Sequence, residues 1–353
     1  MKKLLMDART LGSRPSGIGI YTYNILKSLD RDKFSISLAT DVIESEEIKE
    51  LGDMGMHIYS YGKKVDKSIS LYSYYRFIQK CIDEEKPDIF WESNNLIPIK
   101  IKNPYGKMVA TLHDMFPISD PKYYGRVYPY YFKLGLNRTI NTFDYFIYDS
   151  YDTKGEAEKY FPKLKNKNTV VGYLIVPRLP EVEISDNDCF YYVGNLEKRK
   201  GTDILLKAYR IYKEKGGTKG LRVGGKVREE DIQELLDETL KEVEGIEYLG
   251  YVTEEERNKE YASCSAFVFP TRLEGFGIPV VEAMNYYKPI IASDINTIRE
   301  VVGDTITYIN DDVDSLVKAM FEYPSVIDKK KYDEVIEKYS PNSFMSMIDR
   351  FLD

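Results

Sequence analysis

Two glutamates bracket a glycine turn in the second half of the sequence. Glu274 and Glu282 stand in TRLEGFGIPVVEAM (271–284), with Gly275, Gly277 and Pro279 between them. The glycines predict a strand-to-helix turn, and Pro279 is predicted to be the first residue of the helix. Backbone amides at a helix N-terminus bind phosphate, whereas carboxylates accept hydrogen bonds from hydroxyl groups. A molecule that offers both groups, such as a sugar nucleotide, would therefore fit this stretch.

The position of Glu282 strengthens this interpretation. It is expected about one turn into the helix, with its carboxylate pointing back to the mouth of the loop. The alternative is a plain glycine turn with Glu274 in solvent and Glu282 on a helix surface. Because both carboxylates are in register with Pro279, the ligand-binding interpretation is favoured.

A second loop places cations before a helix, in YVGNLEKRKGTDILLKAY (192–209). Arg199 and Lys200 come just before Gly201 and Thr202, and Thr202 is predicted to cap the helix. Cations beside a helix N-terminus oppose the helix dipole unless an anion binds between them. The loop could therefore clamp a diphosphate, and a solvated basic loop is an equally weighted alternative.

Two further stretches lie in the first half. RPSGIGIYTYNIL (14–26) puts Gly17 and Gly19 at a loop-to-helix junction, where a backbone can approach a ligand closely. Many first turns of this kind carry glycine without binding anything. TLHDMFP (111–117) puts His113 at the end of a predicted strand. A lone histidine is more often a packed core residue, but a strand tip is where ligands of parallel sheets bind.

Short apolar runs alternate with amphipathic stretches along the whole chain, which indicates an α/β class with open, doubly wound parallel sheets. The predicted strands are 3–8, 34–40, 88–93, 108–114, 145–150, 189–195, 221–225, 246–252, 266–271, 289–294 and 306–310. Helices are predicted at 204–215 and at 254–264, where Thr253 and Glu256 match a capping box. Val176–Pro180 and the acidic stretch to Asp188 form the best linker. The ligand site is then expected between two domains, 1–176 and 177–340.

The composition excludes several classes of protein. The 353 residues are 43% hydrophobic and 30% charged, with a net charge of −7. Residues 1–175 carry 26 Lys and Arg against 22 Asp and Glu, whereas residues 176–353 carry 24 against 35. Because the chain has no overall excess of basic residues, a nucleic-acid partner is not expected. No apolar run is long enough to span a membrane, and the short apolar stretch before Asp7 is expected to be a first strand rather than a secretion signal.

Cysteine and histidine usage narrows the chemistry. Three scattered cysteines (Cys81, Cys189 and Cys264) are expected to be buried, reduced thiols in a cytoplasmic protein. Only two histidines occur, and no Ser/His/Asp order, Cys/His dyad or Asp-x-Asp pair stands at a convincing strand end. We therefore expect no covalent catalysis, no cofactor and no obligatory metal.

The motifs together resemble those of the retaining glycosyltransferases of family four, which have the GT-B fold. The resemblance is most specific in EGFGIPVVEAM, YVGNLEKRKGTDILLKAY, LRVGG, IEYLGYV and IASDINTIREVVGD. GIGIYTYNIL, TLHDMFP and FDYFIYDSYDTKGEAEKYF are similar to the N-terminal domain of its mannosyltransferase-like members. The resemblance implies two Rossmann-like domains that face a central cleft. The N-terminal domain would take the acceptor and the C-terminal domain the nucleotide sugar, and a last helix (343–352) would cross back so that 341–353 joins the N-terminal domain.

The same resemblance implies roles for individual residues, of which the catalytic ones would be His113, Arg199, Lys200 and Glu274. Lys200, with Arg199 beside it, would neutralise the donor diphosphate, and Glu282 would hold the ribose hydroxyls. Glu274 would hold the donor sugar. The further residues implied to contact the donor are Gly17, Gly19, His113, Asn195, Gly224, Lys226, Tyr251, Val252, Gly275, Phe276, Gly277 and Ile278. The chain departs from the family at Asn195, since an arginine often follows the glycine there. That departure places diphosphate neutralisation more heavily on Arg199 and Lys200.

The implied reaction is transfer of a hexose from a nucleoside diphosphate sugar to a hydroxyl of a glycan or lipid-linked acceptor, with retention and without a metal. GDP-mannose is the first expected donor and a UDP-sugar the second. The alternatives are an acceptor-free sugar-nucleotide epimerase or hydrolase, and a non-catalytic nucleotide-sugar-binding subunit. A phosphorylase is disfavoured by chain length.

The stretch PKYYGRVYPYYFKLGLNR (121–138) is basic and rich in tyrosine. It could contact a lipid-linked or polysaccharide acceptor or the surface of a membrane, which would make the protein peripheral to that membrane. An amphipathic helix that packs its tyrosines against the core is the favoured interpretation.

Overall fold

The computed structural model describes residues 1–13, 15, 17–65, 68–182, 185–324 and 326–352. The chain divides into two compact units, Met1–Ile175 with Pro341–Asp353, and Val176–Ser340. Each unit contains a parallel sheet flanked by helices, which confirms the predicted α/β class. Glu183 and Ile184, in the predicted acidic linker, lie outside the described residues, as do Arg14 and Ser16 of the first glycine loop.

The first unit is built on a seven-stranded sheet of order β3-β2-β1-β4-β5-β6-β7 among the described residues. Its strands are β1 (Lys2–Asp7), β2 (Phe34–Thr40), β3 (His57–Ser60), β4 (Ile89–Glu92), β5 (Lys107–Leu112), β6 (Tyr145–Tyr148) and β7 (Asn168–Val171). The central strands are buried on both faces, as their continuous apolar runs require. Strands β1 and β4 pair in a register that puts Asp7 opposite Glu92 at their carboxyl ends.

Helices cover this sheet and connect its strands. They are α1 (Gly17–Ser28), α2 (Glu46–Asp53), α3 (Ser68–Glu85), α4 (Phe116–Ser119), α5 (Tyr128–Thr142), α6 (Tyr151–Tyr160) and α14 (Pro341–Leu352). The last of them, α14, contacts α1 and β7, so the C-terminal segment packs within the first unit. Short 3-10 helices lie at Arg9–Leu11, Pro121–Tyr123 and Pro162–Asn166.

The second unit has a six-stranded parallel sheet of order β10-β9-β8-β11-β12-β13 in the part of the chain described. Its strands are β8 (Cys189–Val193), β9 (Gly220–Gly224), β10 (Ile246–Gly250), β11 (Ala266–Phe269), β12 (Ile290–Ser293) and β13 (Thr307–Ile309). The order reverses at β8, so the loops after β8 and β11 leave neighbouring strands at the same edge. Ligands of doubly wound sheets bind at such a reversal.

The helices of the second unit are α7 (Thr202–Glu214), α8 (Glu230–Glu242), α9 (Glu254–Ser263), α10 (Ile278–Asn285), α11 (Asn296–Val302), α12 (Val313–Glu322) and α13 (Lys329–Lys338). A 3-10 turn spans Lys198–Lys200. The capping box predicted from Thr253 and Glu256 is confirmed at the start of α9. The prediction that Thr202 caps α7 was wrong. Gly201 occupies the cap position in a left-handed conformation, and the Thr202 hydroxyl accepts a hydrogen bond from the Glu197 amide.

Sequence patterns missed two strands and misplaced some ends. Strands β3 and β7 lie at the two edges of the first sheet, where half-exposed side chains give no continuous apolar run. Strand β5 ends at Leu112, so His113 lies just beyond it rather than within it. Helix α10 begins at Ile278, and Pro279 is its second residue rather than its first.

The favoured interpretation of the tyrosine-rich stretch was wrong. Helix α5 buries Phe132, Leu136 and Ile140 against the unit, whereas Tyr130 and Tyr131 are exposed. A helix buries one stripe of about a third of its circumference, and the tyrosines fall outside that stripe.

Candidate functional site

The loops after β8 and β11 of the second unit meet through an ion pair between Lys200 and Glu274. The Lys200 ammonium donates a hydrogen bond to Oε1 of Glu274 and lies 5.7 Å from the centre of the Phe269 ring. The Lys200 side chain is 16% exposed and that of Glu274 is 11% exposed. Residues predicted separately from two stretches, 74 positions apart, are thus brought together.

Backbone geometry explains why the two loops can approach so closely. Gly201 has φ of 68°, and a Cβ built there would lie 1.8 Å from the carbonyl oxygen of Pro270. Only glycine combines this left-handed conformation with so close a contact. The amide of Arg272 also donates to the carbonyl of Arg199, at 2.9 Å, which ties one loop to the other.

A charged clip that sequence reasoning missed fixes the loop after β11. The Arg272 guanidinium makes a bidentate contact with Asp203 on α7, at 2.7 and 3.0 Å. It also contacts Asp311, at 2.8 Å, in the loop before α12. Bidentate pairing of arginine with carboxylates is geometrically specific, so the clip sets the position of Glu274 two residues later. The only signal in the sequence was the arginine itself, since its partners lie on other elements.

Arg199 holds the loops rather than pointing into open space. Its guanidinium donates to the carbonyl of Leu273, at 3.3 Å, and to the carboxylate of Glu197, at 2.6 Å. Lys200, by contrast, is paired with Glu274, which is predicted to bind the donor sugar. Arg199 is therefore placed to brace the site, whereas Lys200 is placed to exchange partners.

The N-terminus of α10 follows directly after the glycine turn. Gly277 caps the helix with φ of 95°, and a Cβ there would lie 2.5 Å from Cδ1 of Ile298. The ring of Phe276 is buried and lies edge-on against Tyr339, with ring centres 4.9 Å apart. The first amides of a helix have no acceptor within it. The turn thus presents the amide end of α10 beside Glu274, with Gly275 between them.

Glu282 lies one turn into α10 but is directed toward α9 rather than toward the mouth of the loop. Its carboxylate accepts a hydrogen bond from the Tyr261 hydroxyl, at 2.9 Å, and pairs with Arg257, at 3.2 Å. Burial, reinforced by the charge of Glu282, raises the pKa of Tyr261 well above its usual value. Burial lowers the pKa of Arg257, but Glu282 together with Tyr261, Glu254 and Tyr191 outweighs burial, so the net shift is upward.

These partners leave capacity on the Glu282 carboxylate. Each of its oxygens carries two lone pairs, so Glu282 can still accept hydrogen bonds from hydroxyl groups. Arg257 and Tyr261 were not predicted as site residues. Their spacing of four on the predicted helix α9, which puts both on one face, was the signal that could have found them.

The strand ends of β8, β9 and β10 carry the remaining predicted donor residues. Asn195 is exposed, and its side-chain oxygen accepts a hydrogen bond from Nε of Arg228 at 3.2 Å. Arg228 thus places a guanidinium next to position 195, where the family resemblance leads one to expect an arginine. The carbonyl of Lys226 accepts from the Leu196 amide, at 2.9 Å, and this contact holds the two loops side by side.

Other predicted residues at these strand ends differ in exposure. Gly224 ends β9 and is buried, and its carbonyl accepts from the Gly194 amide at 3.1 Å. Tyr251 is 77% exposed after β10, and Val252 is half-buried and faces Gly224. Neither of the latter two side chains is enclosed by the second unit.

His113, in the first unit, is buried and fully hydrogen-bonded. Its Nδ1 lies 2.7 Å from Oδ2 of Asp149, and its Nε2 lies 2.8 Å from the carbonyl oxygen of Ser93. Burial lowers the pKa of His113, but the charge and hydrogen bond of Asp149, together with the Ser93 carbonyl and Asp114, outweigh burial, and the net shift is upward. With two acceptors, the ring is suited to the doubly protonated form. A role over a donor sugar stays a prediction that requires one of these hydrogen bonds to open.

The predicted glycines of α1 differ from each other. A Cβ on Gly19 would lie 2.5 Å from the carbonyl oxygen of Thr10, so this glycine allows α1 to pack within the unit. A Cβ on Gly17 would meet nothing within 4 Å. Gly17 therefore has the open surroundings that a ligand contact requires, and Gly19 has a structural reason to be glycine.

The comparisons with known proteins agree with this geometry. Residues 187–323 match the family model Glyco_trans_1_4, glycosyl transferases group 1. That match lies within the second unit. The chain is 25% identical over 238 residues to the O-antigen chain mannosyltransferase B of Escherichia coli, covering 64% of this chain and 61% of that protein. It is 21% identical to the O-antigen chain mannosyltransferase RfbU of Salmonella typhimurium, covering 99% of both chains.

Solved structures show the fold over the full length. The chain superposes on Anabaena Alr3699/HepE, solved with UDP and glucose, with a TM-score of 0.78 at 15% identity. That superposition covers 100% of this chain and 99% of the other. The chain therefore has the GT-B fold, as predicted.

Two features are absent among the described residues. No group of three or more His, Cys, Asp or Glu side chains is arranged to hold a metal ion in the part of the chain that is described. Among the same residues, no helix has both the length and the apolar character needed to cross a bilayer. Metal independence stays a prediction.

Proposed function

We propose that the protein is a retaining hexosyltransferase that moves a sugar from a nucleoside diphosphate to a hydroxyl of a glycan or lipid-linked acceptor. The observation that carries the proposal is the ion pair between Lys200 and Glu274 beside the N-terminus of α10. This arrangement puts a cation, a carboxylate and helix amides within one site. Those are the groups that a diphosphate joined to a hydroxyl-bearing sugar would require.

The two members of the ion pair would separate when the donor binds. The diphosphate would take the Lys200 ammonium, and the freed Glu274 carboxylate would accept hydrogen bonds from sugar hydroxyls. The amides of Phe276, Gly277 and Ile278 would add donors at the positive end of α10. The ion pair thus gives both charged groups a partner until a ligand separates them.

In the proposed reaction, the bond between the sugar C1 and the diphosphate oxygen breaks as the acceptor oxygen bonds to C1 from the same face. The acceptor proton passes to an oxygen of the departing diphosphate, so no protein base is required. Negative charge grows on the diphosphate as it leaves. Electrostatic stabilisation of that charge by Lys200 should therefore be the largest contribution of the protein.

The nucleoside would be held on the same unit. Glu282, oriented by Tyr261 and Arg257, would accept the ribose hydroxyls through its remaining lone pairs. The backbone around Tyr251 and Val252, after β10, would face the base. Arg228 would supply, from the loop after β9, the cation that Asn195 does not provide.

GDP-mannose is the first proposed donor, and a UDP-sugar is the second. The names of the Escherichia coli and Salmonella relatives, both mannosyltransferases of O-antigen chains, support mannose. Transfer is proposed to need no metal or other cofactor. The acceptor would be a glycan or lipid-linked glycan, met by a cytoplasmic protein that touches a membrane through its first unit.

The experiment that tests this proposal is a thermal-shift screen with GDP, UDP, ADP and dTDP and their sugars, with and without EDTA. Ligands that bind only the folded protein raise its apparent stability. We expect GDP and GDP-mannose to give the largest shifts, unchanged by EDTA. Hits are then followed with labelled donor and extracted glycan.

Two outcomes would change the proposal. Release of free sugar or conversion of the donor without acceptor would identify a hydrolase or an epimerase. No shift with any nucleotide, together with no transfer, would contradict the proposed donor site.

A further inference from the structure

Helix α5 of the first unit carries apolar side chains on two faces, of which one is buried. The buried face consists of Phe132, Gly135, Leu136, Thr139 and Ile140. The other runs along Val127, Tyr130, Tyr131 and Leu134, which we name the outer stripe. Positions spaced by three, four and seven lie on one side of a helix, so these four side chains form a continuous row.

The outer stripe is strongly exposed. Val127 is 79% exposed, Tyr130 is 74% exposed and Leu134 is 67% exposed. Tyr128, which also is exposed, lies 6.2 Å from the Tyr131 ring between ring centres. Of the fourteen exposed large hydrophobic residues among those described, five lie within 127–134. A cluster of this kind on a surface marks an interaction site, whereas scattered single residues do not.

The stretch that carries the outer stripe contains charges of one sign. No Asp or Glu occurs between Pro121 and Phe143, and Lys122, Arg126 and Lys133 are exposed there. The Lys122 ammonium lies over the ring of Tyr123, at 4.9 Å from its centre. Residues 176–340, by contrast, carry 23 Lys and Arg against 33 Asp and Glu. An anionic surface would be attracted to this face of the first unit and not to the second unit.

We propose that the outer stripe is a docking surface for an anionic lipid bilayer, in which α5 lies along the plane of the headgroups. Tyrosine rings suit the boundary between headgroups and acyl chains, because one end of the side chain is apolar and the other is polar. Val127 and Leu134 would enter the apolar layer, and the three cations would contact lipid phosphates. The cations beside the outer stripe would repel the same cations on a second copy of the chain. We therefore favour an anionic lipid surface as the occupant.

This inference deepens the proposed function, since a membrane is where a lipid-linked acceptor would be found. Membrane binding can nevertheless be measured without donor or acceptor. A failure of vesicle binding would not count against the proposed nucleotide site, and a failure of nucleotide binding would not count against the proposed role of the outer stripe.

The test is flotation of the full chain with vesicles of phosphatidylcholine alone or mixed with phosphatidylglycerol. We expect binding to the mixed vesicles that weakens as salt is raised. Tyr130→Ser with Leu134→Ser should weaken it by on the order of 100-fold through lost apolar burial. Neutralising Lys122, Arg126 and Lys133 to glutamine should weaken it by roughly 100-fold on the mixed vesicles only.

Tyr72→Ser is the matched control, because Tyr72 is a half-exposed tyrosine on α3 of the same unit. It should bind vesicles like the unchanged chain. Since all substituted side chains are exposed, thermal unfolding should be unaffected in every variant. Equal binding of all variants, or no binding to either vesicle, would overturn the proposal. A dimer in ultracentrifugation that Tyr130→Ser with Leu134→Ser dissociates would overturn it in favour of a second copy.

Discussion

Two ion pairs, one in each unit, contain residues that the sequence marked as catalytic, and they differ in what surrounds them. His113 and Asp149 are 8% and 4% exposed at their side chains, and both ring nitrogens of His113 have partners. Lys200 and Glu274 are somewhat more accessible and lie at the edge of a glycine turn. An ammonium has three donors and a carboxylate about four acceptor sites, so this second pair keeps unused capacity. The comparison separates a pair that holds the fold from a pair that can exchange partners with a ligand.

The largest effect is expected from breaking the pair in the first unit. His113→Ala leaves Asp149 buried without its cation, and removing one partner of a buried pair costs about 3–5 kcal/mol of unfolding free energy. His57→Ala, on the exposed edge strand β3, is the control and should change little. Urea unfolding measures both. A loss for His113→Ala no greater than that for His57→Ala would show that the buried pair does not hold the fold.

The same pair predicts a pH dependence. Because the pKa of His113 is raised in the folded state, its stabilising contribution is complete below the unfolded pKa of about 6.5. It is then lost as pH rises through the folded value. The unfolding free energy should therefore decline with pH in this range, and His113→Ala should remove that part of the slope. An identical slope in the variant would contradict the charged form of His113.

Breaking the pair in the second unit should instead damage transfer. Lys200→Ala removes the cation from the leaving diphosphate and should cost about 2–4 kcal/mol in kcat/KM. Thermal stability should fall less than in His113→Ala, because the Lys200–Glu274 pair is the more exposed of the two pairs. Lys207→Ala, at an exposed position of α7, is the matched control. Full activity of Lys200→Ala on a confirmed donor would remove Lys200 from the site.

Glu274→Gln sharpens the comparison by keeping the shape and removing the charge. The variant frees the Lys200 ammonium, so GDP should bind as well as before or more tightly. The donor sugar, however, loses its charged acceptor, at a cost of about 1.5–3 kcal/mol. Calorimetry should thus show a smaller preference for GDP-mannose over GDP. A parallel loss of both ligands would mean that the pair does not exchange partners.

The smallest effect is expected at Arg228. Because it is exposed, Arg228→Ala should weaken nucleotide diphosphate binding by about 1 kcal/mol. Placing an arginine at position 195 instead, by combining Asn195→Arg with Arg228→Ala, should restore most of that affinity. No rescue, with Asn195→Arg well folded, would show that the two positions do not serve the same phosphate.

Much of this fold follows from local sequence patterns. Continuous apolar runs located the central strands, and the Thr253–Glu256 capping box located the start of α9. Edge strands β3 and β7 escaped because half-exposed strands need no apolar run. The outward row of tyrosines on α5 was misjudged because its sequence contains two apolar stripes, and only packing decides which one is buried.

The site was predictable where chemistry is concentrated in one loop. Lys200, Glu274 and Gly277 stand in compact motifs, and the structure brings them together. Arg272, Arg228 and Tyr261 were missed because each acts through a partner on another element, and pairing across elements is set by strand order and register. For His113, residue type suggested catalysis, whereas the partners that occupy its ring are visible only in three dimensions.

The central claim is that Lys200 leaves Glu274 to bind a nucleoside diphosphate. Its most direct test is calorimetric titration of GDP into the unchanged protein, Lys200→Ala and Lys207→Ala, with EDTA present. The account predicts that GDP binds the unchanged protein and Lys207→Ala equally and binds Lys200→Ala at least tenfold more weakly, which is a difference of about 1.4 kcal/mol. Equal GDP affinity in all three proteins would contradict it.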